Sequence, residues 1–395
     1  MTGAVEHAVS LYIHIPFCLS KCTYCDFYSI PCGSGVPDSY VDALLREASY
    51  RAESTGCDSW RTIYAGGGTP SLLTDVQTER LFAGLAGIAG GKLPREVTVE
   101  CNPSDVTPEK LAAFEKSGVT RLSCGIQSFS GKVLENVRRR SSADDVRRAL
   151  ACIRRYWHGI FSADMISALP GETDESFTAG LASLLDYEPD HVSLYSLTLE
   201  RETPLGDKIL SGKQSYDFDL ADAMWISGRD YLCSRGYAQY EVSNFCIKGK
   251  ECLHNKAYWN QEDYIGCGAG ATGTLYGSRG AVSVRETNTR NIAAYTGFWL
   301  HTGKIQRAEI PSETEYISSG TAGFEFFMMG LRTASGVCRE TYEEKFGTAF
   351  PQKAEQLFAD WGKNGRCIEY EKDSRRFYAL TDSGMLFLNE FLESL

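Results

Sequence analysis

Three cysteines spaced C-x3-C-x2-C, Cys18, Cys22 and Cys25, are the residues of this chain best suited to chemistry. They follow the apolar run Ser10-Leu11-Tyr12-Ile13-His14-Ile15, so they stand where a strand gives way to a loop. Each thiolate supplies one soft anionic ligand, and three on a tight loop suit three irons of a [4Fe–4S] cubane. The fourth iron is then open. It can chelate the amino and carboxylate groups of S-adenosylmethionine (SAM), and one electron from the cluster can cleave the sulfonium to a deoxyadenosyl radical. The competing reading is a zinc site or three buried thiols. Structural zinc wants four ligands, usually as two pairs, and only Cys32 lies near as a fourth.

Elements that must position this loop are readable from apolar periodicity. Strands are expected at Ser10–Ile15, Thr62–Ala65, Glu96–Glu100, Arg121–Gly125, Phe161–Ile166 and His191–Leu197. Helices fill the gaps at Ser39–Ser54, Asp75–Ile88, Pro108–Ser117, Ala143–Tyr156, Asp174–Leu185 and Tyr216–Ser234, with Thr107 as an N-cap before Pro108. Alternation of strand and helix implies a parallel sheet. Six such units by residue 235 predict an α/β fold, a partial (β/α)6 barrel over 1–235. A Gly-rich and aromatic connecting segment follows over 236–312. A small C-terminal α/β domain occupies 313–395, with an apolar helix at Phe324–Leu331, a strand at Arg376–Leu380 and a last helix opened by Thr381-Asp382-Ser383-Gly384.

Composition excludes several classes. A formal net charge of −11 argues against a nucleic-acid binder, whose affinity comes from phosphate neutralisation. The one basic cluster, Arg138-Arg139-Arg140 with Arg147-Arg148 and Arg154-Arg155, reads as a solvated helix face. No run of about 18 apolar residues predicts a membrane span, and Met1–Ser10 lacks the pattern of a secretory signal. Fourteen cysteines spread through apolar segments fit free thiols in a reducing cytoplasm, the expected location.

The triad with Tyr24 before its third cysteine resembles the radical-SAM superfamily. The longer string Tyr12-Ile13-His14-Ile15-Pro16-Phe17-Cys18 resembles the subgroup that holds oxygen-independent coproporphyrinogen III oxidase and the HemW-type haem chaperones. In a βα barrel the strand C-termini form the active face, and here each later strand ends in a glycine or polar feature. Gly66-Gly67-Gly68-Thr69-Pro70 lets backbone approach a ligand, and the resemblance makes Gly67, Gly68 and Thr69 contacts for the SAM amino group. Glu100, at the end of the third strand, can accept hydrogen bonds from the ribose or the amino group. By resemblance Gln127, in Gly125-Ile126-Gln127-Ser128-Phe129, and Arg139 also contact SAM. So does Asp164, ending the fifth strand in Asp164-Met165-Ile166-Ser167-Ala168-Leu169-Pro170-Gly171, where Ala168 replaces the usual glycine. Tyr12 and Tyr24 complete the expected cofactor set.

Two activities stay open. The oxidase carries a further cysteine two residues after the third; here that position is Phe27, as in the chaperone subgroup. His254-Asn255-Lys256-Ala257-Tyr258-Trp259 matches the HNxxYW motif of the chaperones. Imidazole is a good axial ligand for haem iron, and Tyr258 and Trp259 offer flat apolar faces to a porphyrin. The resemblance therefore implies haem as cofactor, contacted by His254, Asn255, Tyr258 and Trp259. It implies delivery of haem to an acceptor apo-protein, such as a respiratory subunit, through no more than transient membrane contact. An electron donor such as flavodoxin or ferredoxin and a site used for transfer rather than oxidase turnover are further expectations. The C-terminal domain resembles the family's winged-helix-like unit, which is not a DNA reader.

Overall fold

A computed structural model describes residues 7–33, 35–301 and 303–395. The first six residues, part of the stretch read for a secretory signal, lie outside the described residues.

The β-branched runs of the first two hundred residues assemble into one large sheet because each strand is followed by a helix that returns the chain to the same end, so the next strand adds in parallel. Its parallel centre is β1 (Ala8–Ile15), β2 (Ser59–Gly67), β3 (Val97–Cys101), β4 (Arg121–Gln127), β5 (Ile160–Ser167) and β6 (His191–Ser196), side by side in chain order. The six expected strands and their helices are present, with ends shifted by up to three residues. The helices start at real caps: Thr74 and Gln77 form a capping box, as do Ser142 and Asp145, and the Thr107 side chain accepts from the Lys110 N–H ahead of Pro108.

Alternation along β1 sorts the two faces. Val9, Leu11, Ile13 and Ile15 are fully buried and share a core with Leu44, Leu81, Leu85, Leu150 and Leu181 of the surrounding helices. Each such side chain contributes about 2 kcal/mol by leaving water. Ser10, Tyr12 and His14 point the other way, into a polar interior.

The segment 236–312 is more than a connection. Beyond β6, β8 (Asn244–Cys246) pairs antiparallel with it, and β7 (Ala238–Glu241) pairs antiparallel with β8 to form the edge. The chain then crosses to the far edge, where β9 (Tyr264–Cys267) pairs parallel with β1. β10 (Thr272–Leu275), β11 (Ser283–Asn288) and β12 (Ser312–Ile317) extend that edge antiparallel, giving twelve strands among the described residues. β12 therefore straddles the boundary expected at 312/313. Between the edges, helix Leu253–Trp259 lies against the polar interior.

Beyond β12 a second apolar core gathers Phe326, Phe327, Phe346, Phe350, Phe358, Trp361 and Phe391. It is built from helices Ser319–Gly330, Arg339–Phe346 and Gln352–Lys363 and a hairpin, Cys367–Lys372 with Arg375–Leu380. The apolar helix starts earlier than expected because Ser318 caps it, and the last helix is split into Asp382–Met385 and Leu388–Ser394.

Candidate functional site

The cysteine loop leaves β1 and is pinned before the chain turns away. Phe17 and Cys18 pair with Ile30 and Pro31, and the Cys32 N–H donates to the Cys18 carbonyl at 2.7 Å. Cys18, Cys22 and Cys25 are all free thiols. Thr69 Oγ1 lies 3.4 Å from Cys18 Sγ, and Arg139 Nη1 lies 3.6 Å from Cys22 Sγ. Both donors face the sulfurs, the usual way a protein stabilises a thiolate. Burial pushes the Cys25 thiol up to about 11, so a bound cation is needed to hold it ionised. Among the described residues no three His, Cys, Asp or Glu side chains converge as a single ion requires. Three thiolates on one loop could each meet a different iron of a cubane and leave its fourth iron open.

Beside the loop is a cavity of about 340 Å³. Its walls include Tyr24, Cys25, Gly67, Gly68, Thr69, Glu100, Gln127, Arg139 and Asp164, gathered from the cysteine loop and the ends of β2 to β5. The glycines are dictated by close approach. A Cβ on Gly67, at φ +109°, would sit 2.4 Å from the His14 ring, and one on Gly68 would sit 2.8 Å from the Ile15 carbonyl oxygen. Side chains there would push β2 off the cysteine loop. Gln127 has φ +70°, a left-handed conformation unusual for a non-glycine residue, and it turns the chain at the cavity wall.

The cavity's electrostatics are set by buried groups. Glu100 accepts from Tyr64 Oη at 2.9 Å and from the Gly67 N–H at 3.1 Å. Burial nevertheless pushes its carboxyl up to about 7, with nearby Asp164 adding to the rise. Asp164 lies inside β5, three residues short of its end, rather than ending it as expected. Ser123 Oγ donates to it at 3.2 Å, yet burial raises it to about 6. Arg139 donates to the Gly125 carbonyl at 2.8 Å, while its buried Nε has no partner. That orphan donor suits a ligand carboxylate or hydroxyl. Arg140 pairs with Asp105 at 2.6 Å, so the basic run divides its work rather than forming one solvated face.

Tyr12 is not brought into this cavity. Its even position on β1 aims it at His14, whose Nδ1 is 2.9 Å from the hydroxyl, and it lines a neighbouring cavity of about 870 Å³. Asn255, Tyr258 and Trp259 line that second cavity too, with Tyr264, Tyr276, Met328, Met329, Arg285 and Arg290 among their neighbours. Asp26, Phe27, Tyr195 and Asn255 border both cavities, and Phe27 is 66% exposed on this shared rim.

His254 is not displayed with the rest of its motif. It is 1% exposed and lines neither cavity. Thr62 Oγ1 lies 2.8 Å from its Nδ1 and Tyr258 Oη lies 2.8 Å from its Nε2, so neither ring nitrogen is free for iron. Burial pushes the imidazole down to about 3, which keeps it neutral. Both ring nitrogens are thus engaged within the protein rather than turned toward either cavity. The helix start was bolted down: the Leu253 and His254 N–H groups donate to Glu96 at 3.0 and 2.8 Å, and Glu96 pairs with buried Arg121 at 3.2 Å.

Comparison with known proteins fixes the family. Residues 12–181 match the Radical SAM superfamily and residues 317–387 the HemN C-terminal domain. The heme chaperone HemW of Escherichia coli is 31% identical, over 98% of this chain and 97% of that relative. The heme chaperone HemW of Lactococcus lactis is 34% identical, over 86% of each. This chain belongs to the HemW family of the radical-SAM superfamily. Its fold is shared with coproporphyrinogen III oxidase (HemN) from Escherichia coli, at TM-score 0.78 and 20% identity, over 98% of this chain and 90% of that one.

Several wall residues escaped the sequence reading of this HemW-family chain. Ser123, Ser193, Tyr64 and Tyr195 surround the two buried carboxylates, and Arg121 and Glu96 hold the motif helix. The signal was there. Arg121-Leu-Ser123-Cys-Gly125, Ser162-Ala-Asp164 and His191-Val-Ser193-Leu-Tyr195 are polar at alternate positions, which in a barrel marks a polar interior. Met328, Met329, Arg285 and Arg290 had no such signal, since they come from separate elements.

Proposed function

We propose that this protein is a haem chaperone that holds a [4Fe–4S] cluster on Cys18, Cys22 and Cys25, binds SAM in the first cavity and haem in the second, and passes haem to an acceptor apo-protein. The observation that carries the reading is the pair of adjoining cavities. Eight of the nine residues expected at SAM line the first, and three of the four expected at haem line the second.

In this reading the SAM-bound cluster supplies, on reduction, a deoxyadenosyl radical. The chain's own residues bind and orient. Glu100 accepts from the SAM amino or ribose groups in its ionised form, with Tyr64 and the Gly67 N–H holding the carboxylate in place. The free Nε of Arg139 meets a carboxylate or hydroxyl of SAM. In the second cavity Tyr258 and Trp259 present flat faces to a porphyrin. The size falls in the range of cofactor sites. Met328 and Met329 offer thioethers, a known class of haem-iron ligand. Arg290, over the Tyr28 ring, is placed for a propionate. The buried Nε1 of Trp259 has no partner and is a donor held in reserve for a bound group.

The acceptor is read as a respiratory haem protein, the electron donor as a flavodoxin or ferredoxin, and the compartment as the cytoplasm. Among the described residues no helix is long and apolar enough to cross a membrane.

Haem titration and anaerobic reconstitution test the reading. The expected results are haem binding by the full chain, about four irons per chain, and loss of the cluster in Cys18→Ala, Cys22→Ala or Cys25→Ala. A zinc-only product would overturn the cluster. Conversion of coproporphyrinogen III to protoporphyrinogen IX under reducing conditions would replace the chaperone with the oxidase.

A further inference from the structure

His254 sits between the two cavities and touches the wall of each through one neighbour. On one side its Nε2 meets the hydroxyl of Tyr258, which lines the second cavity. On the other its ring stacks on Tyr64, with centroids 5.1 Å apart and planes 28° from parallel. Tyr64 lines the first cavity and donates its hydroxyl to Glu100. The imidazole's third contact is with β2 itself. Thr62 Oγ1 donates to Ser10 Oγ at 3.0 Å, so toward His254 it acts as acceptor and Nδ1 carries the proton. Nε2 is then the acceptor, and Tyr258 donates to it.

Two strands frame this arrangement. Thr62 and Tyr64 are successive inward positions on β2, one against His254 and one against Glu100. Glu96, just ahead of β3, accepts from the backbone of the motif helix, and Glu100 on β3 faces the first cavity. The helix and the carboxylate are thus mounted on the same two strands at one spacing, with the imidazole and the Tyr64 ring filling the gap.

We propose that His254 is a positioning residue that couples the two sites: it fixes Tyr258 in the second cavity and, through Tyr64, the Glu100 carboxylate in the first, and it does not ligate haem iron. The coupling rests on the reading of the cavities as SAM and haem sites. Binding in either cavity that shifts the helix moves the imidazole and hence Tyr64, so each ligand changes the other's affinity by the same factor.

The test uses the full chain with its cluster reconstituted anaerobically. SAM affinity is measured by calorimetry, with and without saturating haem, and the ferric haem spectrum is recorded by absorption and EPR. His254→Ala is expected to weaken SAM binding by about tenfold, the scale of one lost hydrogen bond to a charged group. Tyr64→Phe, which keeps the stack but removes the hydroxyl, is expected to lose as much. The double variant should lose no more than the larger single, and the haem-induced change in SAM affinity should vanish in each. His254→Gln, which keeps a donor and an acceptor, is expected to restore SAM affinity, and the haem EPR signal should be unchanged throughout. Where His254→Ala does not fold, His254→Asn takes its place. Loss of an imidazole signature from the haem EPR, additive losses, or SAM affinity within about twofold of wild type in both singles would overturn the proposal. A wild type that binds no haem would sink the functional reading alone, since the SAM comparisons still decide the link to Glu100.

Discussion

The two adjoining cavities are built on different plans. The first takes its walls from the C-terminal ends of neighbouring parallel strands, so one topological rule puts its residues together. The second takes its walls from β1, the cysteine loop, the motif helix, β9 to β11 and helix Ser319–Gly330, which lie far apart in the chain. The first is the smaller and holds the buried carboxylates Glu100 and Asp164; the second is larger and faced by tyrosines, a tryptophan and two methionines. A site made by a repeated βα unit tolerates few changes in its frame. A site made where sheet edge, helix and C-terminal unit meet depends on whatever holds those parts in place.

The largest effect should come from the part that holds the motif helix. Glu96 accepts two backbone N–H groups of helix Leu253–Trp259 and pairs with Arg121, both side chains being within a few per cent of full burial. Glu96→Gln leaves the Arg121 guanidinium buried beside a neutral amide. The expected cost is about 3–5 kcal/mol of stability, as for other broken buried pairs. That is a fall in Tm of roughly 5 °C for a chain of this size. Haem affinity should fall further than SAM affinity, because the second cavity loses a wall. Equal losses would show the two sites to be one cooperative unit and would break the comparison.

How much of each cavity was legible follows from these plans. Helix ends were readable where side chains cap them: Asp75–Ile88, Ala143–Tyr156 and Asp174–Leu185 stand where periodicity put them, behind Thr74, Ser142 and Thr173. Gly67, Glu100 and Gln127 were readable because their positions at strand ends repeat. Tyr12 borders the second cavity, which was not legible, because strand alternation fixes the face of a side chain but leaves open which of two neighbouring cavities it borders. The burial of His254 was invisible locally. It depends on Thr62 and Glu96, more than 150 residues earlier in the chain. The parallel pairing of β9 with β1 is equally non-local, joining Tyr264 to Ser10 through a strand of four residues.

The next effect is a pH dependence confined to the first cavity. Glu100 titrates near 7 in the folded chain against an ordinary value near 4.5. A raised carboxyl means the folded state binds more protons between those values, so the stabilising contribution of this group is full below about 4.5 and lost as pH rises through 7. Glu100→Gln removes that loss. With SAM absent, the variant should gain on wild type by up to about 3 kcal/mol between pH 4.5 and pH 8. Thermal melts at the two pH values check it; a constant difference would mean that burial does not raise the Glu100 carboxyl.

Trp259→Ala addresses the second cavity alone. It removes an aromatic face and a buried Nε1 that has no partner in the protein. Loss of such a contact should weaken haem binding by about tenfold, with SAM affinity unchanged because Trp259 does not line the first cavity. Absorption titration gives the first number and calorimetry the second. An unchanged haem affinity would move haem away from this wall.

The smallest effect lies at Ala168, where the usual family residue is glycine. Its φ is +62°, in the left-handed region, so the departure noted in sequence is a strained backbone in structure. For a residue with a Cβ that conformation costs about 1–2 kcal/mol, and replacing it with glycine returns some of that cost as unfolded-state entropy. Ala168→Gly should therefore stabilise by about 0.5–1 kcal/mol, a rise in Tm of about 1 °C. Ala168 follows the end of β5, four residues beyond Asp164, and lines neither cavity. Its relief should leave both ligand affinities where they are. A loss of SAM affinity on relaxing this turn would mean that the strain is used to aim β5 at the first cavity, which would make the strand-end frame less rigid than its repeated plan implies.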